Sequence, residues 1–481
     1  MDVNRKYAAL CAVIALVQRQ RCFLHLLLLR RRKRRRDDFI FRCRPLHADP
    51  VRAPRMYVKR RARNRDTSAD APERTGNALY FRDWRDGSTF SQYLNLTPPN
   101  DYEPEPECEA VLRGEFAAKI RLPFHTFHAL YERMNTDAFM EERSTACPLK
   151  IKLTGALLYL AYGCPWDAVE NQVNVDKRTL RDWFWNKFIP WMLDREYPNH
   201  VRYPQSEEEL RQLLWPYEHA GFPGAIGCTD GVHVPYGAYR SGRRYMYADH
   251  HGGFSLGFNV TCDYHGRIIY VSEWSAGNTN DKTKINDDHF QSVIMREDPL
   301  YTQQRSIVRV SDDAFETIQG VYVLSDDGYH RWPTTVSSIK RPIPSSWDAK
   351  WTRWHESLRK EIECVFGIMK KKFAILAHPM TRHHEGDCES VVKVCACLYN
   401  MTRPDPCEEF NDWRRVNAAD MHRVYGPNFD VANYAYAPEP LKHQPPTMHQ
   451  TRSALTKHFK YHFEALRNDK EHEVLNEIAQ L

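Results

Sequence analysis

Two spacings of apolar residues divide this chain. Between Phe124 and Leu193 they recur at three and four residues, the period of a helix with one buried face. This predicts helices over Phe124–Met134, Leu149–Tyr162 and Trp166–Gln172, then a polar turn Asn174–Lys177 and a longer helix Arg178–Leu193. Past residue 216 the pattern shortens to runs and alternation. Ala225–Cys228 reads as a short buried strand, Phe254–Cys262 and Arg267–Trp274 as a hairpin around Asp263–Gly266, and Val321–Leu324 as a further strand. A helix beginning in Asn278–Asp281 and running into Phe290–Met295 separates the hairpin from that strand, and a strong helix, His355–Phe373, follows it. Strand, hairpin, helix, strand, helix is the element order of an α/β domain of the ribonuclease-H-like kind.

Four zones result: a basic, then Pro-, Asp- and Glu-rich region 1–110, largely disordered; a helical region 111–215; an α/β region 216–402 and a charged tail 403–481 with a helical stretch Thr451–Leu481. No chemistry attaches to the tail. Helix, turn and longer helix in the second zone resemble a helix-turn-helix, with Lys177, Arg178 and Arg181 at the start of the helix that would enter a major groove. Trp183, Phe184 and Trp185 could equally serve packing in a helical domain without DNA contact.

With 68 basic and 62 acidic residues the formal net charge is only +6, but it is unevenly placed. The runs Arg30–Arg36 and Lys59–Arg65 read as nuclear import signals, phosphate-binding arms or a solvated basic arm. The apolar run Tyr7–Val17 behind Arg5 and Lys6 has the outline of a secretory signal, yet QRQRC stands where small cleavage-site residues belong, and Gln18–Arg21 interrupts it before a bilayer's length. A soluble intracellular protein is expected. The 13 cysteines form no C-x-x-C pair, so no zinc site and no disulfide framework is legible, and Cys395 and Cys397 read as plain core.

Three acids stand out against this frame: Asp230 in GCTDGVHVP, Asp326 in VLSDDGYHRWP and Glu363 in RKEIECVFGIMKKKF. The first two follow strand-like runs, and the third rides a helix. Carboxylates are hard oxygen ligands suited to Mg²⁺ or Mn²⁺, and two such ions can stabilise the attacking and leaving oxygens of an in-line phosphodiester displacement. On a helical wheel Leu358, Ile362, Val365, Phe366, Met369 and Phe373 form one stripe. Glu363 lies on one flank with Arg359 and Lys370, and Glu361 lies on the other. Glu363 is therefore preferred, with Arg359 and Lys370 facing substrate phosphates. Asp326 is preferred to Asp327 because it comes first after the strand, and Asp327 is assigned to the turn. Asp281 is read as a helix cap or a further metal-proximal acid, and His233 as a substrate contact or packing residue. Arg240, Arg243 and Arg244, interleaved with Tyr239, Tyr245 and Tyr247, suit DNA backbone and unstacked bases.

At these residues the chain resembles the PIF/Harbinger superfamily of DDE transposases. GCTDGVHVP is similar to the family's first-acid segment D-G-x-H, on Asp230 and His233; GNTNDKT to the segment ending in an aspartate, Asp281; LSDDGY to G-D-x-G-Y, on Asp326; and RKEIECVFGIMKKKF to R-x-x-V-E-R-x-F-G-x-x-K-x-R-F, on Glu363. The likeness runs over about residues 120–402. Cys364 stands where the family has arginine, and Tyr399 where L-H-N has histidine. The resemblance implies a ribonuclease-H-like nuclease using two Mg²⁺ or Mn²⁺ ions held by Asp230, Asp326 and Glu363. It would cleave transposon ends and join them to target DNA in the nucleus, beside a Myb-like DNA-binding partner. A homo-oligomer stays open. The competing expectation is a domesticated, catalytically inactive DNA-binding or scaffold protein.

Overall fold

The computed structural model describes residues 107–140, 147–238, 241–249, 252–311, 314–403 and 447–479. The two basic runs, the apolar run Tyr7–Val17, Tyr239, Arg240 and the start of the tail lie outside these residues. No helix among the described residues is long and apolar enough to cross a membrane.

The helical zone holds α1 (Glu107–Ile120), α2 (Phe124–Thr136), α3 (Leu149–Tyr162), α4 (Trp166–Val173) and α5 (Lys177–Trp183). Asn174 closes α4 in the left-handed conformation, at φ 54°, and the Asp176 carboxylate caps α5 by accepting from the N–H groups of Arg178 and Thr179. The helical path then continues to residue 200, longer than the apolar spacing predicts. Two prolines explain how. Pro190 and Pro198 have no N–H to give, and each is preceded by a widened π turn, Phe184–Phe188 and Met192–Glu196. The wider turn moves the hydrogen bonds one residue along, so the chain keeps its direction across the missing donor.

The main sheet is built of β1 (Ala225–Pro235), β2 (Ser255–Cys262), β3 (Ile268–Val271), β7 (Tyr322–Ser325) and β8 (Thr335–Ser337), side by side in the order β3-β2-β1-β7-β8, and the short β4 (Ser275–Ala276) also pairs with β2. β1, β2 and β3 pair antiparallel, whereas β7 lies parallel to β1 and β8 parallel to β7. A separate hairpin, β5 (Arg305–Arg309) with β6 (Phe315–Gln319), escaped the reading of the sequence.

Alternation along the strands separates two apolar layers. Ala225, Cys228, Tyr322 and Leu324 join one cluster, and Ile226, Val321 and Val323 join the other. Leu210 and Leu214 of α6 (Glu207–His219) fill the second cluster together with Phe290, Met295 and Tyr301. The first layer is covered by α8 (Trp347–Lys372), through Ile362, Val365 and Met369, and by α9 (Glu385–Asn400). Cys395 and Cys397 are buried free thiols in α9, the core role expected of them. Burying each large aliphatic or aromatic side chain contributes about 1.5–3 kcal/mol, so these layers dominate the stability of the sheet.

Helix α8 begins at Trp347, eight residues before the predicted start, because Ser346 caps it by accepting from Ala349 N–H at 3.2 Å. Its last turn carries Lys370, Lys371 and Lys372, favourable at a helix C-terminus. Asn400 ends α9 with a double clamp on the sheet edge. Its Oδ1 accepts from Ile268 N–H at 2.9 Å, while its Nδ2 donates to Ile268 O at 2.7 Å and to His200 O at 2.6 Å. The tail helix α10 (Met448–Ala479) packs on α8, β5 and β8 and brings the buried His458 to Arg309, whose backbone N–H donates to the ring Nδ1 at 3.0 Å.

His355 is fully buried where α8 meets β8, and its Nε2–H donates to Val336 O at 2.9 Å. Burial pushes its pKa down to about 4. An unfolded histidine titrates near 6.5, so between these values the unfolded chain binds one more proton, and stability falls as pH drops through that window. In His355→Gln, denaturant unfolding between pH 6.5 and 4 is expected to show a pH slope shallower than the parent's by up to about 1.4 kcal/mol per pH unit. An unchanged slope would mean that the ring is not held neutral by this packing.

Candidate active site

The parallel pairing of β1 with β7 places the first two acids. Cys228 pairs with Leu324, so two residues further along each segment Asp230, still within β1, lies level with Asp326, just past the carboxyl end of β7. Loops and crevices at such edges are the ligand sites of open α/β sheets. Asp230 is not past the strand, as its TDG context suggests, but inside it: β1 continues to Pro235, and Asp230 pairs with Val260 of β2. The glycine that follows it serves close approach rather than a turn. A Cβ at Gly231 would stand 3.2 Å from the Asp281 carboxylate and 3.5 Å from Lys284 Nζ.

Asp281 lies in the first turn of α7 (Asp281–Asp287). The cap of that helix is Asn280, whose side chain accepts from Thr283 N–H at 2.9 Å. Capping is therefore not the role of Asp281, and its carboxylate lies against the site. A Cβ at Gly328 would stand 3.2 Å from Asp281 Oδ2 and 3.6 Å from Asp326 Oδ2, so these two carboxylates flank the same glycine. Asp327 turns elsewhere and pairs with Lys340.

Glu363 joins the group through Arg359. The guanidinium donates from Nη1 to Asp230 Oδ2 at 3.0 Å and from Nη2 to Glu363 Oε1 at 3.2 Å, with Nε directed to Glu356 Oε2 at 3.2 Å. Arg359 thus faces the acids rather than outward. Lys370 is also engaged, donating to His233 O at 2.7 Å. Glu361, on the other flank as the wheel requires, pairs with Arg403. Burial raises the Asp230 pKa; Arg359 pulls it down, and Asp326 and Asp281 add to the rise. Among the described residues no three His, Cys, Asp or Glu side chains converge as a ready-made metal shell.

Two groups that the sequence did not reveal support the acids. Lys284, buried on α7, donates to His233 Nε2 at 3.0 Å and lies 3.4 Å from Asp281 Oδ1, while His233 Nδ1 meets Ser255 Oγ at 2.8 Å. His233 therefore bridges a lysine and a serine. Its strand partner Gly257 leaves room for the lysine stem, since a Cβ there would fall 2.9 Å from Lys284 Cε. Only the i,i+3 spacing of Asp281 and Lys284 hinted at this.

Beneath the acids runs a buried polar network centred on Asn259. Its Oδ1 accepts from Tyr329 OH at 2.8 Å, its Nδ2 donates to Asp288, and its backbone N–H donates to Ser272 Oγ at 2.8 Å. Gln291 donates to Thr229 Oγ1 at 2.7 Å and through its backbone to Asp288 Oδ1 at 3.0 Å. Thr229 precedes Asp230, and Tyr329 follows the Asp326 turn. Burial pushes the Asp288 pKa up to about 6, against the hydrogen bond from Asn259.

The basic residues expected to meet DNA divide. Lys177 pairs with Asp167, and Arg181 pairs with Asp182 at 3.2 Å. Arg178 and Arg243 are exposed, and the Arg244 guanidinium covers the Phe254 ring at 4.4 Å. Tyr245 is exposed, but Tyr247 is buried and donates to Glu385, so it anchors the loop to α9 rather than offering a free ring. Trp183 and Phe184 are core, and Trp185 lies under Arg382 at 4.3 Å.

Residues 229–400 match the family described as DDE superfamily endonuclease. The match spans Asp230, Asp281, Asp326 and Glu363 and supports a DDE transposase-like nuclease domain over this mixed α/β region. No curated protein and no solved structure matches the chain.

The network yields a direct expectation. Asn259→Leu strips Tyr329 OH and the Asp288 carboxyl of their partner and is expected to destabilise the fold by roughly 3–5 kcal/mol, as buried polar groups left unpaired do. Urea unfolding measures this. A loss below about 1 kcal/mol, the size of one ordinary hydrogen bond, would show that the network is not what holds these segments.

Proposed function

We propose that this chain is a divalent-metal-dependent DNA endonuclease of the transposase type, with Asp230, Asp326 and Glu363 as its catalytic acids. The observation that carries the reading is the meeting of Asp230, Asp326 and Asp281 at one sheet edge, with Glu363 tied to Asp230 through a shared cation, Arg359. The DDE endonuclease match over the same residues supports it. Three antiparallel strands followed by two parallel ones, with a long helix over the face, are consistent with the ribonuclease-H-like arrangement.

The donor set suits the cofactor. All four side chains offer carboxylate oxygen, the chemistry Mg²⁺ and Mn²⁺ select, and two of them already share one positive group. Asp230 and Asp326, with Glu363 from the helix, would hold two such ions, and Asp281 would lie beside them. When bound, such ions would activate a water or a DNA 3′-hydroxyl as the nucleophile and stabilise the leaving oxygen. The protein's own part is positional. β1 holds Asp230 within the strand and β7 delivers Asp326 just past its end, the Asn259 network holds the segments that carry them, and Lys284 joins His233 to Asp281. Exposed Arg178 and Arg243 would contact DNA phosphates, the first as part of a helix-turn-helix-like pair, α4 and α5.

The finer reading is a Harbinger-type enzyme that works in the nucleus, cleaves transposon ends and joins them to target DNA, alongside a Myb-like partner and open to self-association. The order of its four acidic motifs supports that subtype. The competing reading is a DNA-binding or scaffold protein without catalysis, which draws on Cys364 and Tyr399 standing where that family has arginine and histidine.

A nicking assay on duplex DNA carrying the element's terminal repeats, with Mn²⁺ or Mg²⁺, separates the two. Asp230→Asn, Asp326→Asn and Glu363→Gln should each lower cleavage on the order of a thousandfold, the equivalent of about 4 kcal/mol of metal-dependent stabilisation. They should leave the circular dichroism spectrum intact. A wild-type chain that binds this DNA but never nicks it would decide for the scaffold.

A further inference from the structure

Arg359 engages three carboxylates through its three guanidinium nitrogens. Nη1 meets Asp230, Nη2 meets Glu363 one turn ahead on α8, and Nε meets Glu356 one turn behind. The side chain is nearly buried, at 12 % exposure, while Glu356 and Glu363 are 35 % and 46 % exposed. Asp230 has both oxygens engaged, since Oδ1 accepts from Gly231 N–H at 2.8 Å and Oδ2 from Arg359 at 3.0 Å. A guanidinium is always charged and offers a flat fork, which is why it can bridge two carboxylates.

We propose that Arg359 is an exchangeable internal counter-ion. In the metal-free protein it occupies the place between Asp230 and Glu363 that a divalent ion would take, and it yields that place when metal and DNA bind. The inference rests on the proposed reading of Asp230 and Glu363 as metal ligands and adds to it a residue that controls their loading. A full positive charge on the same oxygens as a divalent ion is repelled at contact distance, so the two occupants exclude each other. The bond from Nε to Glu356 leaves Arg359 tethered when Nη1 and Nη2 are freed. A freed fork at the rim of an acidic site matches the two oxygens of a DNA phosphate. The same residue therefore prevents like-charged acids from splaying in the empty state and becomes a substrate contact in the loaded one. Toward the metal Arg359 acts as a positioning residue, and toward DNA as a phosphate contact.

The test is Mn²⁺ binding to the full chain without DNA, read from the electron paramagnetic resonance signal of the free ion. Arg359→Gln is expected to bind Mn²⁺ about tenfold more tightly than wild type. Arg359→Lys, which keeps the charge but loses the fork, is expected to fall between them. Equal affinity in the lysine variant and wild type would mean that charge acts only at a distance, and weaker binding in the glutamine variant would make Arg359 a purely structural bridge. Either result overturns the proposal. A second readout uses Ca²⁺ in place of Mn²⁺. The logarithmic salt slope of DNA binding should fall by about one in Arg359→Gln with Ca²⁺ present and stay unchanged in a chelator. An equal slope under both conditions would overturn the handover to phosphate. If no form of the protein binds Mn²⁺, or if Asp230→Asn binds it as wild type does, the reading of the acids as metal ligands fails, and the proposal falls with it.

Discussion

Carboxylates gathered at one sheet edge repel each other, and everything around this site answers that repulsion. Asp230, Asp281 and Asp326 come together because strand pairing and one helix start leave them no alternative. Their charges are opposed from two sides. Arg359 reaches them from α8 and Lys284 from α7, and both side chains are largely taken out of water, where opposite charges interact most strongly. A site so balanced keeps its acids close without metal.

The surrounding architecture makes that balance rigid. The sheet is packed on both faces, so β1 and β7 cannot slide without exposing Ile226 or Val323 on one side and Cys228 or Leu324 on the other. Helix α8 spans about 39 Å at 1.5 Å per residue over its 26 residues. It is fixed within its first half by His355 on β8 and near its C-terminus by Lys370 on His233 O. Arg359 and Glu363 lie between those two fixed points, so the helix presents them at one height over the sheet edge.

Much of this was legible in the sequence, and what was not has definite causes. Leu149–Tyr162 and the stripe from Ile362 to Phe373 announce themselves because burial on one face imposes a helical period. Asp326 is picked out by the strand-like run before it, and Glu363 by its place on the flank of the helical stripe. Asp230 reads as lying past its strand because the apolar run ends at Cys228, whereas in the fold β1 continues through Gly231, which leaves room for Asp281 and Lys284. The sequence leaves Asp281 as either a cap or a metal-proximal acid because Asn280 and Asp281 are equally good cappers on composition, and only the fold decides which one has the extended backbone of an N-cap. Thr335–Ser337 and the β5–β6 hairpin are too short or too exposed to show an apolar period. The Asn259 network was beyond reach because its members come from five separate segments, each unremarkable alone.

Asn400 bears on one of the two positions where this chain departs from the motifs it resembles. The resemblance places Tyr399 where a histidine stands, and the fold gives that tyrosine a structural tie, its hydroxyl donating to Gly266 O at 3.1 Å at the tip of the β2–β3 hairpin. Asn400 beside it clamps Ile268 in the adjoining strand. Both residues fasten α9 to the hairpin that carries Asn259, and a tyrosine can make such a tie to a carbonyl as well as an imidazole can. Cys364 is exposed on α8, on the solvent side of the stripe that packs against the sheet. Neither departure touches the carboxylates or their counter-ions. The substitutions therefore weigh less against chemistry at this site than their position in a motif suggests. The burden falls instead on whether Arg359 can leave it.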